Sequence, residues 1–275
     1  MWQEFFLPGV PAGLFWVLVA IAVLIQGISK SGFAGGAGIL SLPLMMFVMP
    51  ADKVTATLLL ILNLCDFNAI YHHWHNKDWS KIRAIFPACL VGIALGGIAW
   101  WWMGRNGVDQ YNDLIKRFCG AIALLFSVYI VAKEASMRWV AQHRAGPWTA
   151  RICGVIAGFT STISHGAGPF VNLYLFSQGM GKTLFVGTVA WTFTLINLTK
   201  LPIYFGVGLI TWKVILFDLV LVPLVPLGSW LGHWMHHRVP ERPFNYIIAT
   251  LTFVAGAQLL LNVQPLHWLL GQTLR

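Results

Sequence analysis

The chain has 275 residues, 57% of them hydrophobic and only 10% charged, and its formal net charge is +9. Because a soluble domain carries about 25% charged residues, this composition excludes a soluble globular protein and predicts an all-α, polytopic membrane protein. The basic residues lie mostly in short gaps between apolar runs, where they set topology and contact anionic lipid, so the positive charge does not indicate nucleic-acid binding.

The first half of the chain begins with an apolar run and then a glycine-rich stretch. Residues 10–28 are long enough to span a membrane, and no basic region of a cleaved signal peptide precedes them. Gly27–Pro43 follows, and the apolar piece at 39–49 is too short to cross alone. Glycine disfavours a helix interior, and exposed backbone survives at membrane depth only inside protein or a wet cavity. We therefore expect a broken or re-entrant helix here, followed by spans at 54–71, 84–104 and 118–132.

The second half repeats this plan. We expect a first transmembrane repeat at 1–133, a connecting loop at 134–151 and a second repeat at 152–275. The second repeat again has an apolar piece, a break at Ser164–Pro169 and a short apolar piece. Its spans are predicted at 185–206, 214–232 and 244–263. The total is about eight spans plus the glycine-rich broken or re-entrant helices.

Matched residues support two homologous halves. Gly36-Ala37-Gly38 matches Gly166-Ala167-Gly168, and Asn63-Leu64 matches Asn197-Leu198. A repeat of this size in a membrane protein is typical of transporters, although glycine-rich pieces also resemble each other by composition alone. If each break is a hairpin, the repeat is inverted and one side holds ten Lys and Arg residues against six on the other. The positive-inside rule then favours this inverted topology with both termini outside; simple crossings give a more even split.

Charge within a membrane span is expensive and usually functional, and four ionisable residues stand out on this ground. Lys30 and His165 lie in the two breaks. Asp66 and Lys200 each follow a paired asparagine by three residues, so each shares a helix face with that asparagine. Across a two-fold axis Asp66 and Lys200 would face each other, as a coupling pair or a structural ion pair.

Helices that end at glycine breaks expose backbone N–H groups, and helix N-termini bind anions. With the hydroxyl groups of Ser29, Ser31, Thr160 and Ser164, they predict a donor-rich pocket for a small oxyanion. His165 titrates near neutral pH, so it is also a candidate for proton coupling. The predicted substrate-binding residues are Lys30, Ser31, Gly35, Gly36, Gly38, Asn63, Ser164, His165, Gly166, Gly168 and Asn197.

Plainer interpretations stay open for each of these residues. Lys30 would snorkel to an interface, His165 would be an ordinary hydrogen-bonded residue, and the glycines would serve helix packing alone. Histidines cluster at 72–75 and 233–237, but they adjoin Trp and basic residues at span ends, so we predict no metal site. The cysteines lie in apolar runs without CxxC spacing and are predicted to be buried hydrophobic residues. No hydrolase, Walker A or metalloprotease motif is present, so neither an enzyme nor a cofactor is expected.

The stretch Lys30–Leu44 resembles the glycine-rich motif of the sulfite exporter TauE/SafE family of bacterial permeases. Gly154–Phe159 with Gly166-Ala167-Gly168 resembles its second copy, as does the later Gly187-Thr188. The resemblance runs from about residue 14 to 262. It implies a multi-pass inner-membrane permease for sulfite, sulfonates, thiosulfate or related organic anions, without fixing the substrate. His165, Pro169 and Tyr174 depart from the usual second motif, which implies a changed substrate or a degraded half-site.

We therefore expect a permease that works by alternating access, with a small anion and the lipid bilayer as partners and homo-oligomerisation left open. Two alternatives remain at this point. One is a proton-coupled carrier of another small solute. The other is a non-transporting membrane assembly subunit, which would need no polar site within the spans.

Overall fold

A computed structural model describes residues 2–32, 37–142 and 145–262, and these residues form helices and no strand. Short 3-10 helices occur at Gln3–Phe5, Ala37–Leu40 and Val108–Tyr111. The α-helices are α1 Ala12–Gly32, α2 Ser41–Met46, α3 Ala51–His72, α4 Trp79–Asn106, α5 Asn112–Gln142, α6 Pro147–Ser164, α7 Gly168–Ser177, α8 Lys182–Gly206, α9 Trp212–Leu221, α10 Leu224–Arg238 and α11 Glu241–Leu260.

Six of the described helices are long and apolar enough to cross a membrane: α1, α3, α4, α5, α8 and α11. A seventh span arises if α9 and α10, which are bent by 44° at a short break, are one crossing. The count of about eight is therefore not reached. α6 is not among these helices, because its 18 residues include Arg151 and a last turn rich in hydroxyl groups, which lowers its hydropathy.

The predicted connecting loop at 134–151 is mostly helical. α5 continues to Gln142, and α6 begins at Pro147. Proline at the first helical position lacks an N–H that would be unpaired there anyway, so it favours this start. The link between the two helices is thus only a few residues long, and polar composition was a poor guide to loop structure here.

The contacts between helices in the first half of the chain have counterparts in the second half. By position within each half, α1 corresponds to α6, α3 to α8, α4 to the α9–α10 pair, and α5 to α11. The most extensive contacts join α4 to α6, α1 to α10 and α5 to α11. If each helix is replaced by its counterpart in the other half, the α4–α6 contact becomes the α1–α10 contact. The α5–α11 and α3–α8 contacts stay the same. Two similar halves with a two-fold relation would produce this pattern.

A proline-glycine pattern accompanies the two equivalent contacts. Pro87, Gly92 and Gly96 of α4 recur as Pro223, Gly228 and Gly232, each 136 positions later. A Cβ atom on Gly92 would overlap the Val155 carbonyl of α6, and one on Gly228 would lie 2.8 Å from the Leu24 carbonyl of α1. Small residues let membrane helices approach at the backbone, so both contacts depend on these glycines.

Corresponding helices run antiparallel to each other. Gly120 of α5 and Gly256 of α11, again 136 positions apart, lie backbone to backbone. Asn262, just after α11, donates to Asp113 near the start of α5 at 3.2 Å. In the other pair, the Asp78 N–H beyond the end of α3 donates to Thr188 in the second turn of α8 at 3.0 Å.

The outer faces of the bundle carry many large apolar side chains. Trp101, Ile98 and Leu95 of α4 are about half exposed, as suits a surface that faces lipid. Inside, the 3-10 helix at Gln3–Phe5 is anchored by Phe5, which stacks on Phe217 of α9 at 4.3 Å. The prediction for the cysteines is confirmed, because all four are buried free thiols.

Candidate functional site

The first break is tied to the end of α1. Gln26 Nε2 donates to the Gly38 carbonyl at 3.0 Å, and the Gly38 N–H donates to Ser29 Oγ at 2.7 Å. A Cβ on Gly38 would overlap the Gln26 side chain, so only glycine fits. Gly38 was predicted to offer its N–H to a substrate, but that N–H is already used. The predicted ligands Gly35 and Gly36 lie outside the described residues.

Lys30, in the last turn of α1, pairs with Asp66 of α3. The Nζ–Oδ1 distance is 2.5 Å, and the carboxylate is fully buried. Asn197 of α8 donates to the other carboxylate oxygen at 2.6 Å. Lys30 therefore does not snorkel away from the protein, and its Nζ also lies 4.8 Å from the centre of the Phe193 ring.

This pairing corrects the expectation that Asp66 and Lys200 form an ion pair. The C-terminal end of α1 brings Lys30 to Asp66 first. Lys200 instead contacts α6, and its Nζ is within 4.0 Å of no carboxylate in the described part of the chain. Sequence spacing gave each residue's helix face but not which neighbouring helix that face meets.

The second break follows α6 and turns sharply at His165, which has φ of 53°. This left-handed conformation is uncommon for a residue with a side chain. The Gly166 N–H donates to the Thr160 carbonyl, and Thr160 Oγ1 donates to the Gly166 carbonyl, both at 3.2 Å. A hydroxyl group in the last turn of α6 thus holds the break glycine, as Ser29 holds Gly38 at the end of α1.

Lys200 of α8 is fully buried beside this break. Its Nζ donates to the Ser161 carbonyl at 3.1 Å and Ser161 Oγ at 2.9 Å, and it lies 3.1 Å from His165 Nδ1. Three acceptors match the three protons of an ammonium group. Ser161 was not among the predicted site residues, and nothing in the sequence separates it from the other hydroxyl residues near the break.

The contact at the second ring nitrogen of His165 determines which nitrogen carries the proton. Nε2 lies 2.9 Å from the Thr55 carbonyl oxygen of α3, which can only accept, so Nε2 carries a proton. Nδ1 then accepts from Lys200, and the imidazole is neutral in this arrangement. We infer this tautomer from the two partners. His165 therefore connects α3 to α8 rather than offering a free titrating nitrogen.

With Lys30 and Lys200 both protonated, the cluster carries two positive charges against the single negative charge of Asp66. Lys30 and Asp66 neutralise each other, His165 is neutral, and Lys200 has only neutral partners. Close to His165 in the chain, α7 begins at Gly168 without a side-chain cap. Within the described residues, the N–H groups of Ala167, Gly168 and Phe170 have no hydrogen-bond partner. Unpaired donors and a positive helix terminus beside a buried cation suit an anion.

Three predicted ligands use their donors within their own helices. Ser31 Oγ donates to the Gly27 carbonyl at 2.9 Å, Ser164 Oγ to the Thr160 carbonyl at 2.9 Å, and Asn63 Nδ2 to the Leu59 carbonyl at 2.7 Å. The remaining Asn63 Oδ1 is buried without a partner. Only the Asn197 side chain, among the predicted asparagine and serine ligands, contacts one of the charged groups.

Gly166 and Gly168 lie tightly against α5. A Cβ on Gly166 would be 2.5 Å from Ile122 Cγ2, and one on Gly168 would be 3.0 Å from the Phe126 ring. Packing therefore accounts for the absence of a side chain at both positions. The N–H of Gly166 is bonded within the break, so only Gly168 retains a free donor.

One buried carboxylate was not predicted from the sequence. Asp218 of α9 is 4% exposed, and it lies inside the apolar run predicted at 214–232. The rule that singled out Asp66 and Lys200 applies equally to it. No group of three or more His, Cys, Asp or Glu residues that could hold a metal ion occurs in the part of the chain that the structure describes.

Comparison with known protein families identifies the family of the chain. The family model described as Sulfite exporter TauE/SafE matches residues 18–259. The chain belongs to the TauE/SafE family. No curated protein and no solved structure is significantly similar to it.

Membership confirms the resemblance carried by Lys30–Leu44 and by the second break, which both lie within the matched residues. The TauE/SafE family comprises membrane transporters of sulfite or related anions. Together with the apolar helices, it makes this chain a multi-pass membrane transporter. A transporter family also points away from an enzyme.

Proposed function

We propose that this protein is a permease of the bacterial inner membrane that moves a small anion, such as sulfite, a sulfonate, thiosulfate or a related organic anion. One observation carries the proposal: the buried ammonium group of Lys200 has no counter-ion among the described residues. A buried charge without a partner is strongly unfavourable. An anionic substrate would supply the missing charge.

In the proposed complex the anion lies beside the start of α7. The free N–H groups of Ala167, Gly168 and Phe170 and the hydroxyl proton of Ser161 would donate to it, while Lys200 supplies charge. Because the Lys200 protons already have acceptors, its effect on the anion is mainly electrostatic. Lys30 and Asn197 would join the ligands if they exchanged Asp66 for the substrate.

We further propose that the halves form an inverted repeat that rocks to alternate access. The antiparallel course of α5 against α11 supports inversion, since corresponding helices of a parallel repeat would run the same way. Asp66 and Lys200 each lie six residues before the end of their helix, about 9 Å along its axis. Asn197, which contacts Asp66, precedes Lys200 by three residues, so the two charged centres lie about one helical turn apart along the antiparallel α3 and α8.

Both termini belong on one side of the membrane in this topology. The Leu7 N–H donates to the Val48 carbonyl near the start of α3, and the Ala51 N–H donates to Asn112 at the start of α5. Asn262, after α11, contacts Asp113 in the same region. The distribution of Lys and Arg favours placing this side outside the cell.

Flux measurements in proteoliposomes test the proposal. Purified protein is reconstituted and supplied with radiolabelled sulfite, thiosulfate, sulfate, taurine, sulfoacetate and simple carboxylates. We expect at least one sulfur oxyanion to be transported, and Lys200→Met to lower its initial rate by about 100-fold, or about 2.7 kcal/mol.

Lys213→Met is the matched control, because the Lys213 side chain is 63% exposed and pairs with Glu4 at the protein surface. It should transport at the wild-type rate. Wild-type vesicles that move none of these anions would refute the proposed function. A folded Lys200→Met variant with undiminished flux would refute the assignment of the site.

A further inference from the structure

Asp218 and Thr57 are two buried polar side chains that interact with each other without regular hydrogen-bond geometry. Asp218 on α9 is 4% exposed and Thr57 on α3 is fully buried. The Thr57 hydroxyl lies beside the Asp218 carboxylate. Neither carboxylate oxygen nor the hydroxyl oxygen has a partner with hydrogen-bond geometry. Buried polar atoms are almost always paired, so three unpaired oxygens at one place indicate a missing ligand.

Charged groups on the adjoining elements are paired with one another and not with Asp218. Near the start of α3, Lys53 pairs with Asp52 at 3.4 Å. Lys213, earlier on α9, pairs with Glu4 of the N-terminal 3-10 helix at 3.0 Å. Thus neither cation on these elements neutralises the Asp218 carboxylate.

The other neighbours of α9 are apolar. α1 meets Phe217 of α9 through Phe15 and Trp16. The remaining charges on α1 and α3 are Lys30 and Asp66, which pair with each other. Thr57 is therefore the polar group beside Asp218, and an ionised carboxylate in this setting has no ion-pair partner among the described residues and only the Thr57 hydroxyl as a nearby donor.

Packing does not require a carboxylate at this position. The α4 residue that precedes Asp218 by 136 positions is Ile82, which is 1% exposed. The same buried place in the first half is thus filled by an aliphatic side chain. A polar residue retained where an apolar one packs well needs a separate reason.

The location links Asp218 to the parts of the molecule that would move. It precedes Pro223 by five residues, and the α9–α10 pair bends by 44° at that break. Thr57 lies two residues from Thr55, whose carbonyl accepts from His165 next to Lys200. A change at Asp218 therefore acts on both the bend and the helix that contacts the charged cluster.

We propose that Asp218 is a proton-binding site, completed by Thr57, through which proton movement is coupled to anion transport. The inference of coupling rests on the proposed function. In the step, a hydronium ion transfers a proton to one carboxylate oxygen: one O–H bond of the hydronium breaks, an O–H bond of the carboxyl group forms, and a water molecule is left. The resulting carboxyl group donates to Thr57 Oγ1, and release reverses the step. Binding removes the buried negative charge and pairs both side chains.

A proton fits this place better than a metal cation. Hard cations such as Mg²⁺ and Ca²⁺ take six or more oxygen ligands. Asp218 and Thr57 supply three, and the surrounding residues of α9, Val214, Phe217 and Leu221, are apolar. Access is short, because Asp218 is six residues, about 9 Å, from the start of α9.

Infrared difference spectroscopy tests proton binding without any substrate. Wild-type protein in lipid is titrated with pH, and the C=O stretching band of a protonated carboxyl group is recorded. We expect a titrating band that is lost in Asp218→Asn and shifted in frequency in Thr57→Val, which removes the hydrogen-bond acceptor. Glu4→Gln, an acid-to-amide change at the surface, should leave the band in place. A band equally present in Asp218→Asn would overturn the proposal.

Proteoliposome flux tests the coupling. The anion that the wild type transports is supplied with and without an imposed pH gradient, and with a Na⁺ gradient as a separate arm. We expect the pH gradient to stimulate wild-type flux and Asp218→Asn to lose that stimulation while retaining anion exchange. Stimulation by Na⁺ alone, or unchanged stimulation in Asp218→Asn, would overturn the coupling.

The two measurements fail independently. If no anion moves but the Asp218 band titrates, the proton site stands and the proposed function fails. If an anion moves but Asp218 shows no titrating band, the proposed function stands and the proton site fails. Should Asp218→Asn not fold, the band shift in Thr57→Val carries the test.

Discussion

The two helix breaks share a construction but differ in charge. In each half, a hydroxyl group in the last turn of the first helix holds a break glycine, through Ser29 in one and Thr160 in the other. In each, a residue of that same turn contacts an ionisable residue that follows an asparagine by three positions. In the first half the contact is Lys30 with Asp66, and in the second it is Ser161 with Lys200.

The two breaks therefore differ in their local electrostatics. The first break contains its own counter-ion and is electrically neutral. The second has a lysine where the first has an aspartate, and the groups that contact this lysine, from Ser161 and His165, are neutral. In the proposed permease, the first break would then be a fixed ion pair and the second would be the anion site.

A carboxylate placed beside Lys200 should remove the difference in charge between the two breaks. Ser161→Asp places a carboxylate within reach of Lys200 Nζ, which contacts the Ser161 side chain at 2.9 Å. We expect a folded protein whose anion flux falls by about 100-fold, equivalent to about 2.7 kcal/mol. Initial rates in proteoliposomes measure it. Ser161→Asn, similar in size but uncharged, is the control and should lose far less; equal losses would mean that shape, not charge, is at issue.

Removal of the Lys30 side chain should lower the stability of the protein more than its affinity for the anion. Lys30→Ala leaves Asp66 buried with Asn197 as its remaining partner, and breaking a buried ion pair costs about 3–5 kcal/mol. We expect a large drop in thermal unfolding temperature in detergent. Lys30→Ala with Asp66→Asn removes both charges and should recover most of it. Failure of the double variant to recover would show that Lys30 stabilises the fold by other contacts.

Part of this arrangement was readable in the sequence and part was not. Apolar runs and glycines located both breaks, and charge within spans located Lys30, Asp66, His165 and Lys200. The partner of Asp66 was predicted wrongly because helix periodicity gives a face, and only the packing of α1 and α8 determines which side chain meets it. Ser161 had no distinguishing signal, since a serine hydroxyl near a break usually bonds its own helix, as Ser31 and Ser164 do.

Two features were readable but were missed. Asp218 met the criterion of charge within an apolar run, and the repeated proline-glycine pattern of α4 and α10 was present at a constant spacing. The prediction of a loop after Lys133 was also wrong in physical terms. The helical part of that segment, residues 134–142, contains Ala, Glu, Met, Arg and Gln and neither Gly nor Pro, so its polarity did not indicate irregular structure.

Alanine substitutions at the packed glycines test whether the α4–α6 and α1–α10 contacts are equally tight. Gly92→Ala would force the Val155 carbonyl away, and Gly228→Ala would crowd the Leu24 carbonyl at 2.8 Å. We expect both to destabilise by about 1–3 kcal/mol, with Gly92→Ala the more severe. Thermal unfolding measures this. Gly104→Ala is the control, because Gly104 is in α4 and no neighbouring side chain or helix lies within 4 Å of the place that an alanine Cβ would take; it should raise stability slightly.

The smallest expected difference lies in the caps of α4 and α9, which are corresponding helix starts. Asp78 accepts from the Ser80 N–H at 2.9 Å, and Thr211 Oγ1 accepts from the Val214 N–H at 3.4 Å. Hydrogen bonding by the Ser80 hydroxyl holds the pKa of Asp78 below its ordinary value of 3.8. The Asp78 cap therefore contributes stability above that value and loses it as the pH falls through the lowered pKa.

Alanine at either cap should destabilise by about 1 kcal/mol at neutral pH. At a pH below the pKa of Asp78 the penalty of Asp78→Ala should shrink towards zero, while that of Thr211→Ala stays constant because a hydroxyl group does not titrate there. Thermal unfolding at the two pH values distinguishes them. Asp78→Asn keeps an acceptor but cannot ionise, so its stability relative to Asp78→Ala should not vary with pH. A penalty at Asp78 that is independent of pH would show that the cap acts through geometry alone.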